Sequence, residues 1–582
     1  MLSNKSKLQK LRKLMQTRNI DVCLINQTDE FQNEFLPTYS QRLQWLTNFS
    51  GSAGEAIITM SKAYLFVDGR YTLQVKNEVN KNIYKVYNYT EKTPTEILKS
   101  FKSKEINFGI DGNIISVKKF NNLTSEIRKN VSIKLLKENL VDLIWYDRPK
   151  IKKSIIWHHH YKFHGTKVSD KIKSVTKIIK KQQAQYLFVS SNESICWLLN
   201  LRSNDLPYTP IFMSRLIISA SGECFLFANI KSSIKFSKQI KIHQIEPKFL
   251  TSFLSNTVSS QKIIADPRTL PSNIYQSLKK LKSKIKLIDD SIEILKSQKN
   301  NTEIKGVRSA HLRDGVALTK AIFWIKESVM KKGLTELQAV KRIDTNRSKN
   351  KHFHSLSFPT IAGSGPNGAI VHYHANKKTN RIIKDTDLFL IDSGGQYLDG
   401  TTDVTRTISF NKVSKEQKKM NTLVLKGHIA VATSKFSKSE TGKNLNVNAR
   451  KYLKEHNCNF DHGTGHGVGY FLNVHEGPQS ISSVSKVKFL PGMIISNEPG
   501  YYKANAYGIR IENLITVRKL GNKYEFENLT LAPIDKKLIE VSLLTTNEIS
   551  WLNTYHKLVY SKLNKYLKPR EKIWLKAECS NL

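Results

Sequence analysis

The N-terminal part of the chain runs through the same order of local patterns twice. The apolar run at 22–26 is followed by Trp-Leu-Thr-Asn at 45–48 and by apolar runs at 56–59 and 64–67. The run at 186–189 is followed by Trp-Leu-Leu-Asn at 197–200 and by runs at 215–219 and 224–227. Short apolar runs predict buried strands. The repeated order therefore predicts two copies of one α/β domain.

The whole chain, at 582 residues, is too long for a single core. A Pro-broken, charged stretch at 145–153 is typical of a linker. A second boundary lies near residue 299, because 303–326 has the apolar spacing of an amphipathic helix. We expect three domains, at 1–149, 150–298 and 299–582, the last with a C-terminal extension.

The charge balance is strongly basic, with 93 Lys and Arg against 48 Asp and Glu and a formal net charge of +45. Such a balance raises nucleic acid or an anionic membrane as partners. The excess is scattered, however, and the basic runs at 279–284 and 347–351 contain no aromatic residue. These runs predict charged helix faces rather than a nucleic-acid surface. We expect neither nucleic acid nor membrane as a partner.

The remaining composition favours a cytoplasmic protein. No apolar run is long enough to cross a bilayer, and no secretory leader pattern opens the chain. Five dispersed cysteines without a Cys-x-x-Cys motif predict neither a disulfide framework nor a thiolate zinc site. The histidines at 158–160 with His164 have no ligand-spaced carboxylate or cysteine nearby, so we interpret them as surface residues without a role.

Five residues in the C-terminal half carry the most specific signal: Asp392, Asp403, His466, Glu498 and Glu512. Four carboxylates and one imidazole suit a pair of divalent ions such as Mn²⁺, Zn²⁺ or Co²⁺. Asp392 ends an apolar run, and Asp403 opens a β-branched stretch. A β-hairpin would bring these two carboxylates together, which requires a cation or a proton between them. Alternatively, Asp392 caps a turn and Asp403 is a solvated strand residue.

His466 belongs to the glycine-rich stretch 462–469, which also contains His462. The glycines disfavour a helical zinc pair, and a phosphate loop would need a following helix start and usually a lysine. One histidine is therefore predicted as a ligand and the other as an outer residue. Helices are predicted at 418–436 and 440–456, with Lys426 and His428 on polar faces.

The two glutamates follow or end predicted strands at 493–497 and 508–512. Arg510 precedes Glu512 on the same strand face, and we expect it to hold that ligand carboxylate by a bidentate pair. A surface position is the alternative for each glutamate.

Together these motifs resemble the pita-bread metallopeptidase family, and most closely its three-domain, cytosolic aminopeptidase P branch. The matching stretches are 358–362, 369–373, 391–397, 399–407, 426–430, 462–469, 473–478, 497–502 and 508–513, with 51–54, 68–71, 143–149 and 197–202 in the front half and 550–556 at the end. The resemblance implies two creatinase-like α/β domains followed by a pita-bread catalytic domain, and a homodimer.

The resemblance also implies roles for individual residues. Asp392, Asp403, His466, Glu498 and Glu512 match the ligands of two metal ions, Mn²⁺ first and Zn²⁺ or Co²⁺ as alternatives. Glu498 matches a proton shuttle. His372 matches a histidine that binds substrate near the scissile bond, His475 one that stabilises the tetrahedral intermediate, and His462 one that contacts the proline side. With Arg510, these histidines form the expected substrate-binding set.

The implied activity is release of the first residue from peptides with proline second, by a hydroxide that bridges the two metals and attacks the scissile amide. A prolidase, which cleaves only Xaa-Pro dipeptides, shares the ligand set and is the alternative within the enzymes. A non-catalytic binding protein on the same fold is the alternative outside them.

Overall fold

The computed structural model describes residues 2–101, 105–127, 130–237 and 240–582. The chain forms two compact units, Met1–His159 with Thr166–Ile292 and His160–Gly165 with Glu293–Leu582. The sheets of both N-terminal copies lie in the first unit. The expected boundaries at 149 and 298 remain predictions. Within the described residues, no helix combines the length and apolar character needed to cross a bilayer.

The first copy is a six-stranded sheet flanked by helices. Its elements are α1 (Asn4–Thr17), β1 (Val22–Asn26), α2 (Arg42–Thr47), β2 (Gly54–Thr59), β3 (Ala63–Val67), α3 (Gln74–Glu78), β4 (Lys85–Asn88), α4 (Pro94–Lys99), β5 (Ile106–Asp111), α5 (Val117–Glu126), β6 (Val131–Leu136) and α6 (Leu140–Ile144). The strand order is β4-β3-β2-β1-β5-β6. Every residue of the central strand β1 is buried, which agrees with its apolar run from Val22 to Ile25.

The second copy repeats this topology. Its elements are β7 (Ile156–His158), α7 (Tyr161–His164, which belongs to the second unit), α8 (Val168–Lys181), β8 (Tyr186–Val189), α9 (Asn192–Leu198), β9 (Leu201–Ser203), β10 (Ser214–Ser219), β11 (Cys224–Ala228), β12 (Ile242–Ile245), α10 (Leu250–Phe253), β13 (Lys262–Ala265), α11 (Ser272–Lys280), β14 (Lys284–Leu287) and α12 (Ser291–Ser297). The sheet order, β12-β11-β10-β8-β13-β14, has the same parallel and antiparallel pairs. The predicted repeat is confirmed.

The repeated Trp-Leu-x-Asn step has a structural reason. Lys7 and Lys171 are buried and donate to the backbone oxygens of Trp45 and Trp197, at 2.5 and 2.8 Å. Each ammonium also lies over the tryptophan ring, 4.7 and 4.0 Å from its centre. The asparagine that closes each step adopts a positive φ, 68° at Asn48 and 51° at Asn200. Asparagine tolerates this conformation better than most residues.

The second unit carries the predicted ligands. Its helices are α13 (Asn301–Lys332), α14 (Glu336–Ser348), α15 (Lys415–Ala432), α16 (Gly442–Lys454), α17 (Thr546–Leu563) and α18 (Pro569–Glu578). Its strands are β15 (Leu334–Thr335), β16 (Phe353–Leu356), β17 (Ile361–Ser364), β18 (Ile382–Ile383), β19 (Phe389–Ser393), β20 (Gly395–Tyr397), β21 (Gly400–Thr401), β22 (Val404–Ile408), β23 (Lys435–Phe436), β24 (Gly465–His466), β25 (Ser480–Ile481), β26 (Ile494–Asn497), β27 (Gly500–Lys503), β28 (Tyr507–Arg510), β29 (Asn513–Leu520) and β30 (Lys523–Asn528).

Helices pack on both principal sheets of this unit. Apolar residues of α13 join the core formed by β17, β19 and β22, and α16 packs with β26 and β29. Helix α13 begins at a capping box between Asn300 and Glu303, which satisfies the first free backbone N–H groups. The ligand-bearing strands are thereby held between layers of buried apolar residues.

Two sequence interpretations are wrong in part, although His158, His160, Lys349 and Lys351 are exposed as expected. Arg347, within a basic run predicted as a charged face, is fully buried. His159 and His164, predicted at the surface, are also buried. His160 caps α7 by accepting from the backbone N–H of Lys162. No grouping of potential metal ligands is found at 157–164 among the residues described.

Candidate metal centre

Two neighbouring strands bring the predicted aspartate ligands together. Strands β19 and β22 are antiparallel, with Asp392 opposite Thr405, and Asp403 immediately precedes β22. The expected strand pairing is therefore confirmed, but Asp403 lies two residues from the position opposite Asp392, and the connection is not a simple turn. It contains β20 and β21, which pair with each other and belong, with β16, to a separate sheet.

Both aspartates are buried and each has one unused oxygen. Oδ1 of Asp392 and Oδ1 of Asp403 have no hydrogen-bond partner within the described part of the chain. A buried carboxylate oxygen without a partner is costly. Neither the turn cap nor the solvated strand residue explains such positions, whereas a bound cation does.

His466 faces this pair across the site. Its Nε2 atom lies 3.5 Å from Asp403 Oδ2 and 3.4 Å from Glu498 Oε1. Its Nδ1 atom is 2.9 Å from the backbone oxygen of Gly467, which suits an Nδ1–H donor and makes Nε2 the atom that can bind a metal once its proton is displaced. Ligand atoms of Asp403, His466 and Glu512 lie within 4.8 Å of one another, a spacing that could hold a metal ion.

Glu498 and Glu512 complete the group, and neither is a surface residue. Glu498 follows β26, its N–H donates to Thr464 O at 2.8 Å, and its Oε1 accepts from Ser496 Oγ at 2.9 Å. Glu512 is 2% exposed and lies between β28 and β29, not at the end of one strand. Its Oε2 accepts from Thr405 Oγ1 at 2.8 Å. We call Asp392, Asp403, His466, Glu498 and Glu512 the five-residue cluster.

The electrostatics of the five-residue cluster favour added positive charge. Burial raises the pKa of Asp392 to about 7, although the nearby Arg510 opposes this shift. Burial and the charges of Asp403, Glu498 and Asp392 raise the pKa of Glu512 well above its usual value. Burial also raises the pKa of Glu498. The pKa of His466 reaches about 9, because its carboxylate neighbours outweigh its burial. An oxygen-rich set with one imidazole and excess negative charge fits divalent cations.

Arg510 is the arginine nearest to these carboxylates, but its partner differs from the expected one. Its Nη2 donates to Asp392 Oδ2 at 2.6 Å, not to Glu512, and the contact is a single hydrogen bond rather than a bidentate pair. The remaining donors go to Thr405 Oγ1 at 3.1 Å and to Tyr502 Oη at 2.6 Å. The position of Arg510 two residues before Glu512 in the sequence therefore does not determine which carboxylate it binds.

Tyr502 is a site residue that the sequence analysis missed. Its hydroxyl accepts from Arg510 Nη1 and lies 2.8 Å from His462 Nε2. Strands β27 and β28 form a hairpin in which Gly500 is opposite Arg510. Because Tyr502 shares a face with Gly500, a hairpin assignment of 500–510 would have placed it beside Arg510. A Cβ at Gly500 would lie 2.7 Å from that hydroxyl.

The three predicted substrate histidines lie at different places around the five-residue cluster. His475 packs edge-on against His466, with ring centres 4.3 Å apart. His462 is mostly buried, and its Nδ1 lies 4.0 Å from Glu498 Oε2. His372 follows Val371, whose backbone oxygen accepts from Arg510 Nη2 at 3.4 Å. The structure thus associates His475, His462 and the backbone next to His372 with the cluster, and their roles remain predictions.

The family comparisons agree with this arrangement. Metallopeptidase family M24 matches residues 305–519, and the C-terminal region of peptidase M24 matches 522–582. The creatinase/prolidase N-terminal domain matches twice, at 7–140 and 147–303. Two proteins named probable Xaa-Pro aminopeptidase P, from Laccaria bicolor and Paracoccidioides brasiliensis, are 36% and 37% identical. The first alignment covers 99% of this chain and 93% of the relative, and the second covers 98% of each.

The chain belongs to the aminopeptidase P family of M24 metallopeptidases. It is therefore a peptidase, built from two creatinase-like domains and a pita-bread domain as the sequence analysis expected. A solved structure that covers the whole of both chains matches with a TM-score of 0.93 at 30% identity. It is the X-prolyl aminopeptidase of Caenorhabditis elegans, described as a cytosolic enzyme with a di-nuclear active site.

Proposed function

We propose that this M24 peptidase removes the N-terminal residue from peptides with proline in second position. The observation that carries the proposal is the five-residue cluster, in which buried carboxylates and one imidazole converge with too little positive charge of their own. The full-length similarity to aminopeptidase P relatives supports the substrate class.

The five-residue cluster would hold two divalent cations, with Mn²⁺ as the first candidate and Zn²⁺ or Co²⁺ as alternatives. Cations bound there would supply Lewis-acid polarisation of the peptide carbonyl and an acidified water. The orphan oxygens of Asp392 and Asp403 and the Nε2 lone pair of His466 are the donors that this requires. Arg510 keeps one oxygen of Asp392 oriented.

Glu498 is suited to move the proton. We assign to its carboxylate the acceptance of a proton from the attacking water. When the water oxygen bonds to the carbonyl carbon, the π electrons of the carbonyl move onto its oxygen. The carbon–nitrogen bond breaks as the carbonyl re-forms, and the proline nitrogen leaves with the proton that Glu498 returns. His475, in contact with His466, would donate to the developing oxyanion.

Proline in second position is recognised on the leaving side. Its tertiary amide has no N–H, so an enzyme for this bond cannot rely on that donor. We assign the contact with the proline side to His462 and a contact near the scissile bond to His372. Tyr502 and Arg510 fix the imidazole of His462, because the hydroxyl joins Arg510 Nη1 to His462 Nε2.

Metal dependence and peptide length test the proposal together. Hydrolysis of an Xaa-Pro-Xaa tripeptide should disappear in chelator and return with Mn²⁺. A tripeptide cut faster than the matching Xaa-Pro dipeptide favours the aminopeptidase, and the reverse order favours a prolidase. Elemental analysis showing no bound metal, together with no turnover, would instead support a binding protein.

The remaining features of the proposal concern assembly and location. We propose domain boundaries at 149 and 298, a homodimer, and a cytoplasmic location. Sedimentation of the purified protein and imaging of a tagged chain in its host would test the last two.

A further inference from the structure

Arg450, on α16, makes an unusual set of hydrogen bonds beside the proposed substrate histidine. Its guanidinium donates to Asn446 Oδ1 at 2.9 Å, to Asn459 Oδ1 and Phe460 O at 2.7 Å each, and to His462 O at 2.5 Å. All four acceptors are neutral amide oxygens. Three of them lie in the segment 459–462, which ends at His462.

The same guanidinium also fixes an aromatic ring in this segment. Its central carbon lies 3.7 Å from the ring centre of Phe460, a close cation–π contact. Phe460 is 3% exposed although its neighbours Asn459 and Asp461 are exposed. The Phe460 ring in turn packs against His462, with ring centres 4.8 Å apart. Arg450 therefore holds both the backbone and the side chain that adjoin His462.

Two further contacts hold the His462 imidazole, one from the backbone of the next residue and one from Tyr502 on β27. Nδ1 lies 2.8 Å from Gly463 O, and Nε2 lies 2.8 Å from the Tyr502 hydroxyl. These contacts orient the ring, whereas the backbone that carries it is attached through Arg450. Asn446 on α16, which accepts from Arg450, is itself held in place, because its Oδ1 also accepts from Thr464 Oγ1 at 2.8 Å.

We propose that Arg450 is a positioning residue that sets the place at which His462 meets the residue after the cleaved bond, and so strengthens the preference for proline there. This inference rests on the proposed function, in which His462 contacts the proline side. Arg450 gives no hydrogen bond to the five-residue cluster among the contacts described. Its effect should therefore be on substrate binding rather than on turnover.

Steady-state kinetics of Arg450→Met and Arg450→Lys on Xaa-Pro-Xaa and Xaa-Ala-Xaa peptides test this. Arg450→Met should raise KM for the proline peptide on the order of tenfold with little change in kcat, since uniform binding is lost. Arg450→Lys should restore only part of the affinity for the proline peptide, because an ammonium group cannot reproduce the planar set of donors of a guanidinium. In both variants, KM for the alanine peptide should rise less than KM for the proline peptide. Lys451→Met, an exposed change on the same helix, should leave KM unchanged.

A double-mutant cycle with His462→Ala separates positioning from general destabilisation. If Arg450 acts through His462, the double variant should bind proline peptides about as weakly as His462→Ala alone. Additive effects, an unchanged KM, or equal losses on proline and alanine peptides would overturn the proposal. Bound-metal content and thermal unfolding should match the parent in Arg450→Lys, which serves if Arg450→Met does not fold.

Binding of a Pro-Xaa product peptide, measured by calorimetry, gives a readout without turnover. Weaker binding to Arg450→Lys than to the parent supports the inference, and equal binding contradicts it. A parent enzyme that binds this peptide but cleaves no Xaa-Pro substrate would refute the proposed function and not the role of Arg450.

Discussion

Two groups of buried carboxylates in the second unit are satisfied in opposite ways. Asp314 receives two hydrogen bonds from Arg347, at 2.8 and 3.0 Å, and one each from Tyr397 and Thr402 at 2.9 Å. These partners outweigh its burial and lower the pKa of Asp314. In the five-residue cluster, burial and like charge raise the pKa of Asp392 and Glu512 instead.

The difference separates a structural group from a functional one. The carboxylate of Asp314 is satisfied within the chain, because Arg347 supplies the positive charge and Arg347, Tyr397 and Thr402 supply the donors, although Nη1 of Arg347 has no hydrogen-bond partner among the described residues. The five-residue cluster is incomplete, and the natural completion for its donors is a metal cation. The Asp314–Arg347 pair also supports the incomplete cluster: Arg347 donates to Ser393 O, beside Asp392, and Thr402 adjoins Asp403.

The comparison predicts the largest effect for Glu498→Gln. Turnover of an Xaa-Pro-Xaa peptide should fall about 10⁴-fold, close to 5.5 kcal/mol in the barrier, because the proton carrier is lost. Stability should change little. Glu416→Gln, at an exposed ion pair with Lys503, should keep its activity. Near wild-type rates for Glu498→Gln would contradict the assignment of a functional role to the five-residue cluster.

Arg347→Met should show the reverse pattern. It leaves the buried charge of Asp314 unpaired and should cost about 3–5 kcal/mol in the free energy of unfolding, measured with urea. Arg308→Met, at a pair in which the arginine is 48% exposed, should cost no more than about 1 kcal/mol. Equal costs at the two sites would contradict the structural assignment. If Arg347→Met does not fold, Arg347→Lys provides the measurement.

His475→Ala should reduce kcat by about 10²–10³, the typical cost of one oxyanion donor. The comparison requires that this loss leaves the unfolding free energy nearly unchanged, since His475 belongs to the functional side. His243→Ala, whose exposed ring pairs with Glu223 in the first unit, is the matched histidine control. Unaltered kcat in His475→Ala would exclude the assigned role.

The two groups should also change the stability of the protein with pH in opposite directions. Asp314 has a lowered pKa, so its stabilisation is present above about pH 4 and is lost as the pH falls through the lowered value. Asp392 in metal-free protein has a pKa of about 7, so the folded state holds an extra proton between about pH 4 and 7 and loses stability as the pH rises.

We therefore expect metal-free protein to lose about 2 kcal/mol of stability between pH 5 and 8, and metal to restore it. Glu512→Gln removes one of the repelling charges and should reduce this loss. Calorimetric unfolding at both pH values provides the measurement. A metal-free stability that rises steadily over this range would contradict the electrostatic picture of the five-residue cluster.

Much of the fold followed from local pattern. Buried strands appeared as unbroken apolar runs, and α15 and α16 lie close to their predicted ranges. The burial of Lys426 and His428 was not predicted, because each has a partner far along the chain. Lys426 pairs with Glu548 at 2.7 Å, and His428 Nδ1 lies 3.1 Å from Asn497 O. The apolar spacing of one helix contains no information about such partners.

By itself, the sequence determined the repeated α/β domains, the family and the set of residues worth testing as ligands, because apolar periodicity, glycine-rich turns and dense motifs are local properties. Only the tertiary structure decided that Arg510 binds Asp392 and that Tyr502 joins Arg510 to His462. It also decided that Arg450 holds the 459–462 segment and that Arg347 is buried. Each of these features depends on contacts between residues in separate segments of the chain. The partners of a long side chain are fixed only once the elements have packed.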